Sequence, residues 1–267
     1  MSIERIIKNK KRLAAIGGVM IIVIAAGLLY ACFLSPTKIA LVNFPSYQVS
    51  NIILSNDNRF IKVEEVGPDK ASGLKNYDAI LIFGPGLRLT PEQIKNIEAG
   101  GKKGAMVYTF VFASDIVKNN RVDSLQQEKL DTYYSNRCKE NFRNMLHYVR
   151  QEFDPKKLTA NRAEAPVLIP SDILYYLDEN KYFTTAGELT EHLIRKGVYK
   201  KEAPRIAFLS GMTSPLEGNR IYIDSLISGF EKQGYNVFPI SAITKRLELL
   251  KEVDPDAVIY LPMGRLE

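Results

Sequence analysis

Residues 13–34 read LAAIGGVMIIVIAAGLLYACFL, 22 residues without a charge. As a helix rising about 1.5 Å per residue, the stretch reaches about 33 Å, enough to cross a hydrocarbon core of about 30 Å. A chain that carries it is expected to be held in a membrane. The apolar region of a cleavable signal peptide usually runs to about 7–15 residues, so the length favours a retained anchor. Five basic residues (Arg5, Lys8, Lys10, Lys11, Arg12) and one acid (Glu4) precede it, and Ser35-Pro36-Thr37 follows. The positive-inside rule then leaves residues 1–12 in the cytoplasm and carries the body to the other side. In a bacterium this is a single pass through the inner membrane with a periplasmic body. A cleaved leader, and lipidation at Cys32 in the box Leu29-Tyr30-Ala31-Cys32, are the alternatives; Tyr30 is bulky where such a box carries a small residue.

The charge pattern limits what the body can bind. The chain of 267 residues has a net charge of +6, most of it in the basic tail, and the remainder is nearly neutral at +2. A nucleic-acid surface needs a clustered field of Lys and Arg, and residues 36–267 contain no long basic run, so no nucleic-acid partner is expected. Cys32 and Cys138 are the only cysteines, which excludes a disulfide framework and a zinc site built on paired cysteines.

Beyond the anchor, strand and helix patterns alternate. Residues 38–44 (KIALVNF), 60–66 (FIKVEEV), 78–83 (DAILIF) and 105–111 (AMVYTFV) read as strands, with a modest helix over 47–54. A second helix opens at Thr90-Pro91-Glu92-Gln93, a capping box with proline at the first helical position, and ends near Gly100-Gly101. The order β-α-β-β-α-β implies a mainly parallel sheet. From Ser124-Leu125-Gln126-Gln127, read as a second cap, apolar residues recur at Leu130, Tyr134, Cys138, Phe142, Leu146, Val149 and Phe153, predicting one long amphipathic helix that stops at Asp154-Pro155. Residues 156–170 read as a connecting segment, and 171–177 and 185–196 as shorter helices. A β-α-β-α-β run follows: 205–209 (RIAFL), a helix over 220–233 with Ile223, Leu226, Ile227 and Phe230 on one side, 235–240 (YNVFPI), a helix over 243–253 and 257–261 (AVIYL).

The expected fold is α/β: an N-terminal transmembrane helix, a parallel-sheet α/β unit, a helical connector and an incomplete doubly wound unit. In residues this is a cytoplasmic tail 1–12, an anchor 13–34 in contact with membrane lipid, a first α/β domain 38–115, a helical connector 120–200 and a second α/β domain 204–267. The sequence ends six residues past the last strand, where open sheets usually carry more strands, so the second domain is expected to be truncated.

The loop 210–219 (SGMTSPLEGN) sits where open α/β sheets bind ligands, past a strand's carboxyl end and before a helix N-terminus. Ser210, Gly211, Thr213, Ser214 and Asn219 could donate hydrogen bonds there to an anionic group; an ordinary turn is the competing reading. Gly84-Pro85-Gly86 fails as a dinucleotide fingerprint because Leu89 stands where the third glycine belongs. His192, four residues after Glu188, has no third metal ligand and is expected on a solvated helix face, and His147 lies beside the apolar stripe. No catalytic constellation and no metal site is found.

Residues 182–261 carry a resemblance. Tyr182-Phe183, Gly197-Val198-Tyr199, residues 204–209, Ile223-Asp224-Ser225-Leu226, 234–240 and 255–259 stand in the order and spacing of the front part of the cobaltochelatase large-subunit (CobN) and magnesium-chelatase H-subunit family. The resemblance implies a large protein that inserts a metal into, or removes one from, a tetrapyrrole such as haem or a corrin of cobalamin biosynthesis. It implies tetrapyrrole binding through a region downstream of this chain, no cofactor within it, and haem-uptake or chelatase partner subunits. The insertases of the family are cytoplasmic; an anchor fits a haem-utilisation branch that releases iron in the periplasm. The resulting expectation is a catalytically incomplete N-terminal part of such a chelatase. A self-contained, membrane-tethered binding module without enzymatic activity is the alternative, and a remnant of a disrupted gene a third reading.

Overall fold

The computed structural model describes residues 3–67, 73–111, 117–154, 158, 161–177, 181–210, 215–217 and 220–261. Helix α1 (Ile3–Leu29) continues through a π turn (Tyr30–Leu34). Its segment Ile16–Leu34 is long and apolar enough to cross a membrane, and no part of it is buried against the body.

Strands β1 (Thr37–Val42), β2 (Ile61–Glu65), β3 (Ala79–Phe83) and β4 (Met106–Phe110) form an all-parallel sheet in the order β2-β1-β3-β4. Helix α2 (Ser46–Ser55) joins the first two strands, and α3 (Pro91–Lys102) joins β3 to β4. Thr90 closes the anticipated capping box with Gln93. Because neighbouring side chains alternate across a strand, Ile39, Leu41, Leu81, Tyr108 and Phe110 build one core and Ala40, Val42, Ile80, Ile82 and Val107 another. The second core packs on Ile97 of α3.

The first core is covered in part by the segment expected to be a connector. Residues 124–153 form two helices, α4 (Ser124–Ser135) and α5 (Lys139–Phe153), rather than one. Cys138 breaks the path with extended backbone (φ −152°, ψ 167°), and its sulfur accepts the Asn141 N–H as the cap of α5. The apolar stripe survives the break, since Leu130, Tyr133 and Tyr134 of α4 and Phe142, Met145, Leu146 and Val149 of α5 are all buried on the first sheet. Each contributes roughly 1.5–3 kcal/mol by leaving water. The cap of α4 is Asp123 with Gln126, one residue earlier than the expected Ser124.

Residues 161–170 then run back along α5 without regular structure. Side-chain amides satisfy their backbone: Asn141 bonds both Val167 N–H and C=O, Asn136 accepts from Ile169 N–H, and Gln151 from Ala163 N–H.

The second sheet has the order β6-β5-β8-β7-β9. Its parallel part, β7 (Arg205–Ser210), β8 (Asn236–Ser241) and β9 (Ala257–Leu261), places the first strand between the second and third, as β1 lies between β2 and β3. Residues 171–177, expected as a helix, supply β5 (Ile173–Tyr175), which pairs antiparallel with β8 and with β6 (Tyr182–Phe183). The pairing wins because Ile173, Leu174 and Tyr175 are completely buried in the sheet, and Asp172 fixes the neighbouring turn. The Asp172 carboxylate accepts the N–H groups of Ile243, Thr244 and Lys245, so helix α8 (Arg246–Val253) starts three residues later than its pattern suggested. Burial raises the Asp172 carboxyl, but hydrogen bonds from the Thr244 hydroxyl, the Lys245 N–H, the Ser171 hydroxyl and the Thr244 N–H outweigh it and hold the group far below its usual range.

Helix α6 (Ala186–Arg195) has its own capping box, Thr185 with Glu188. Helix α7 (Ile221–Lys232) buries Ile227 and half-buries Ile223 and Phe230, but Leu226 is turned out to 39% exposure.

A fully buried polar knot fastens α5 to the first sheet. Arg150 donates to Phe60 C=O at 2.7 Å and to Thr37 Oγ1, Thr37 donates to the Asp154 carboxylate, and Arg150 and Asp154 form an ion pair at 3.6 Å with neither side chain exposed. Arg150→Met would remove the cation that faces Asp154 in the core and the N–H groups that Thr37 and Phe60 accept. It is expected to cost about 3–5 kcal/mol, read as a lowered urea midpoint.

Candidate functional site

In an open α/β sheet the crevice for a ligand opens at the carboxyl edge, where successive crossovers leave in opposite directions. In the first sheet that crevice lies between β1 and β3, and Asn43 fills it. Asn43 takes up left-handed backbone (φ 62°), and its amide donates to Phe83 C=O at 2.8 Å and Pro85 C=O at 3.1 Å, tying the two strand ends together. The Gly84-Pro85-Gly86 turn beside it is structural, with Gly86 at φ 68°.

The corresponding crevice of the second sheet lies between β7 and β9. Ser210, at the end of β7, is buried, and its hydroxyl donates to Ile240 C=O at 3.3 Å. Gly211, Thr213, Ser214 and Asn219 lie outside the described residues, as do 262–267. The described part of the loop, Pro215-Leu216-Glu217, reaches across to the carboxyl edge of the first sheet. Glu217 Oε2 meets Arg137 Nε at 3.1 Å, with the two side chains only 7% and 17% exposed.

Arg137 is held for this contact by the α4–α5 turn and lies over the Tyr134 ring at 5.2 Å. Tyr134 stacks on Phe110 at 4.5 Å and touches Phe44 and Phe83, so it is seated on the strand ends. Its hydroxyl donates to Gln48 Oε1 at 2.8 Å. Burial raises the Glu217 pKa and outweighs the lowering by Arg137 and Gln48. Among the described residues its second oxygen, Oε1, has no hydrogen-bond partner. Burial, and then the Glu217 charge, also raise the Tyr47 hydroxyl.

Arg220 fixes the other end of the loop. It is 1% exposed, lies over the Tyr175 ring, and donates to Pro215 C=O at 3.2 Å, to Tyr176 C=O and to Asp224 at 2.8 Å. Neither Arg137 nor Glu217 nor Arg220 was singled out by the sequence. The available signals were one acid in an otherwise uncharged loop and an arginine breaking an apolar stripe.

Beside Arg137, a cavity of about 540 Å³ opens between the end of β4 and α4. Thr109 and Asn119 border it on the strand side, and Gln127, Asp131 and Ser135 line it from α4 at successive four-residue steps. Tyr108 donates to Asp131 at 2.6 Å, and burial followed by that bond raises the tyrosine pKa strongly. Val111, exposed at the cavity's edge, has φ 78°, a strained conformation for a β-branched residue.

The histidines sit elsewhere. His192, expected on a solvated face, is 5% exposed; its Nδ1 lies 3.2 Å from Lys181 Nζ and its ring packs on Phe183. Glu188 instead accepts from Thr184 and Thr185, so the two residues share no ligand position. His147 is buried against Asp57 at 2.7 Å. Among the described residues no cluster of His, Cys, Asp and Glu could hold a metal ion.

The model of the CobN/Magnesium Chelatase family matches residues 131–267. Among solved structures the chain is similar to the catalytic subunit of cobaltochelatase from Mycobacterium tuberculosis, at 19% identity and a TM-score of 0.58, over 84% of this chain and 18% of that one. At that identity the likeness is one of fold. The chain thus spans less than a fifth of that subunit's length. Two D-lactate dehydrogenases, one from Treponema pallidum (10% identity, covering 86% of this chain and 63% of that one) and one from Sporolactobacillus (13% identity, 84% and 57%), align with TM-scores of only 0.26, too low to indicate a shared arrangement. A search of curated proteins gives no match.

The raised Glu217 pKa sets a pH dependence. Unfolding frees this carboxyl to ionise at its ordinary value, so its contribution to stability is present in acid and is lost as pH rises through the folded value. Glu217→Gln is expected to flatten the fall in melting temperature as pH rises above the ordinary glutamate range, measured by circular dichroism.

Proposed function

The chain belongs to the CobN/magnesium chelatase family, and from that premise we propose that it is the membrane-anchored leading portion of a tetrapyrrole metal chelatase, catalytically incomplete alone. The family match over residues 131–267 carries this reading. The substrate is a porphyrin or corrin, haem in the first instance, and the reaction is exchange of its central metal, with iron release as the direction that suits a body outside the cytoplasm. The anchor reading is supported by the uncovered apolar helix Ile16–Leu34 and by the basic residues before it. Incompleteness is supported by the chain's span of 18% of the cobaltochelatase subunit. In this reading the tetrapyrrole is held by a region beyond the chain, together with chelatase or haem-uptake partner subunits, and the two α/β units form a head that presents their joined carboxyl edges.

The test is metal exchange by the 267-residue chain in detergent micelles, set against a form extended with the downstream region and followed by the absorbance of metal-free porphyrin. The expected outcome is no exchange by the chain and exchange by the extended form. Turnover by the chain alone, or none by either, contradicts the proposal.

A further inference from the structure

We propose that the amino edge of the first sheet is seated on the membrane that holds α1, its basic side chains resting on the phosphate groups of anionic phospholipids. This seat presupposes the anchor and adds which face of the body meets lipid. Only Ser35 and Pro36 separate the apolar helix from β1, a reach of about 11 Å at full extension. The headgroup layer on each side of the hydrocarbon core is about 5–8 Å thick. Thr37 therefore enters the sheet within a few ångströms of the membrane surface. The link is stiff as well as short. Ser35 N–H donates to Tyr30 C=O and its hydroxyl to Ala31 C=O, both at 2.8 Å, and the ring of Pro36 fixes its own φ.

Because the first sheet is all-parallel, the segments that enter its strands share the edge at which Thr37 stands. Thr37 N–H donates to Phe60 C=O at 2.8 Å, which puts Arg59 and Phe60 beside the link, with the Arg59 guanidinium 4.8 Å over the Phe60 ring. Lys38 stands at the start of β1, Lys75 precedes β3, and Lys102 and Lys103 close α3 just ahead of β4. All five cations are exposed, and among the described residues none of them makes an ion pair. Arg121 joins them where it donates to Gly104 C=O. The acids nearby are mostly engaged within the fold. Asp57 meets His147 at 2.7 Å, Asp78 accepts the Lys38 N–H at 2.8 Å, Asp123 caps α4 and Glu152 accepts from Gln151, while Glu98 lies one turn back on α3. Cations spread along an edge held this close to a bilayer fit a layer of phosphodiester anions, whose attraction reaches about one Debye length, roughly 8 Å at physiological salt. A nucleic acid, the other polyanion such an edge attracts, would have to fit between the sheet and the bilayer.

The experiment is lysine footprinting of the full chain with an acetylating reagent that does not cross membranes, quantified by mass spectrometry. The chain is compared in dodecyl maltoside micelles, in phosphatidylcholine vesicles, and in vesicles of phosphatidylcholine and phosphatidylglycerol in equal parts. Lys139, exposed at the start of α5, is the internal standard, because Arg150 and Asp154 at the other end of that helix are the residues that meet Thr37. Relative to Lys139, acetylation of Lys75, Lys102 and Lys103 is expected to fall several-fold from micelles to the phosphatidylglycerol vesicles and to fall less in phosphatidylcholine. It should recover in about 1 M salt, where the Debye length shrinks to about 3 Å. Lys102→Gln combined with Lys103→Gln should return much of the reactivity of Lys75. Flotation separates this seat from the anchor itself. A chain that floats with neither kind of vesicle loses the anchor and the seat together. A chain that floats while Lys75, Lys102 and Lys103 react as they do in micelles keeps the anchor and overturns the seat. Equal protection in the two kinds of vesicle, protection that salt does not reverse, or a Lys75 still shielded in the double variant overturns the part given to anionic headgroups.

Discussion

The Arg137–Glu217 pair joins two sheets that otherwise have separate cores. At 3.1 Å the gross attraction is about 5 kcal/mol for an effective dielectric constant near 20, and much of it is offset by the cost of taking both groups out of water. Geometry is the larger consequence. The pair brings the loop after β7 onto the carboxyl edge of the first sheet, and the apolar contact among Cys138, Ile173 and Leu216 packs the same junction. With Arg220 holding the loop's far end to Tyr176, the segment most exposed to ligand in a doubly wound sheet is moored at two points.

That mooring shapes the space left at the carboxyl edges of the two sheets. In the first sheet the usual binding crevice is closed by the Asn43 amide, so the space available there moves outward to the cavity beside β4. In the second sheet the crevice is bordered by a loop whose Glu217 is turned toward Arg137. Two α/β units with the same 2-1-3 strand order thus meet where the loop after β7 reaches the α4–α5 turn.

What the sequence made legible were the features governed by local periodicity. The parallel strands at Ile39, Ile80 and Val107, the capping box at Thr90, and the apolar stripe through Phe142 and Val149 follow from alternation, helical spacing and cap chemistry. What escaped depends on partners distant in sequence. Residues 173–175 become a strand only because β8 is there to pair with them, and α8 starts late because Asp172, more than 70 residues earlier, takes the N–H groups of Ile243, Thr244 and Lys245 just before it. Cys138 fits a continuous helical stripe, but the side chain of Asn136 bonds Ile169 N–H across 33 residues, and the backbone breaks at that turn. The site was the least legible part, since an acid and an arginine 80 residues apart carry no mark that they will meet.

A double-mutant cycle on Arg137→Met and Glu217→Gln, read by urea unfolding of the full chain at neutral pH, tests this junction most directly. The two substitutions are expected to couple by about 1–3 kcal/mol, the double mutant losing less stability than the sum of the singles. Losses that add to within about 0.5 kcal/mol would mean that the pair does not hold the two sheets together.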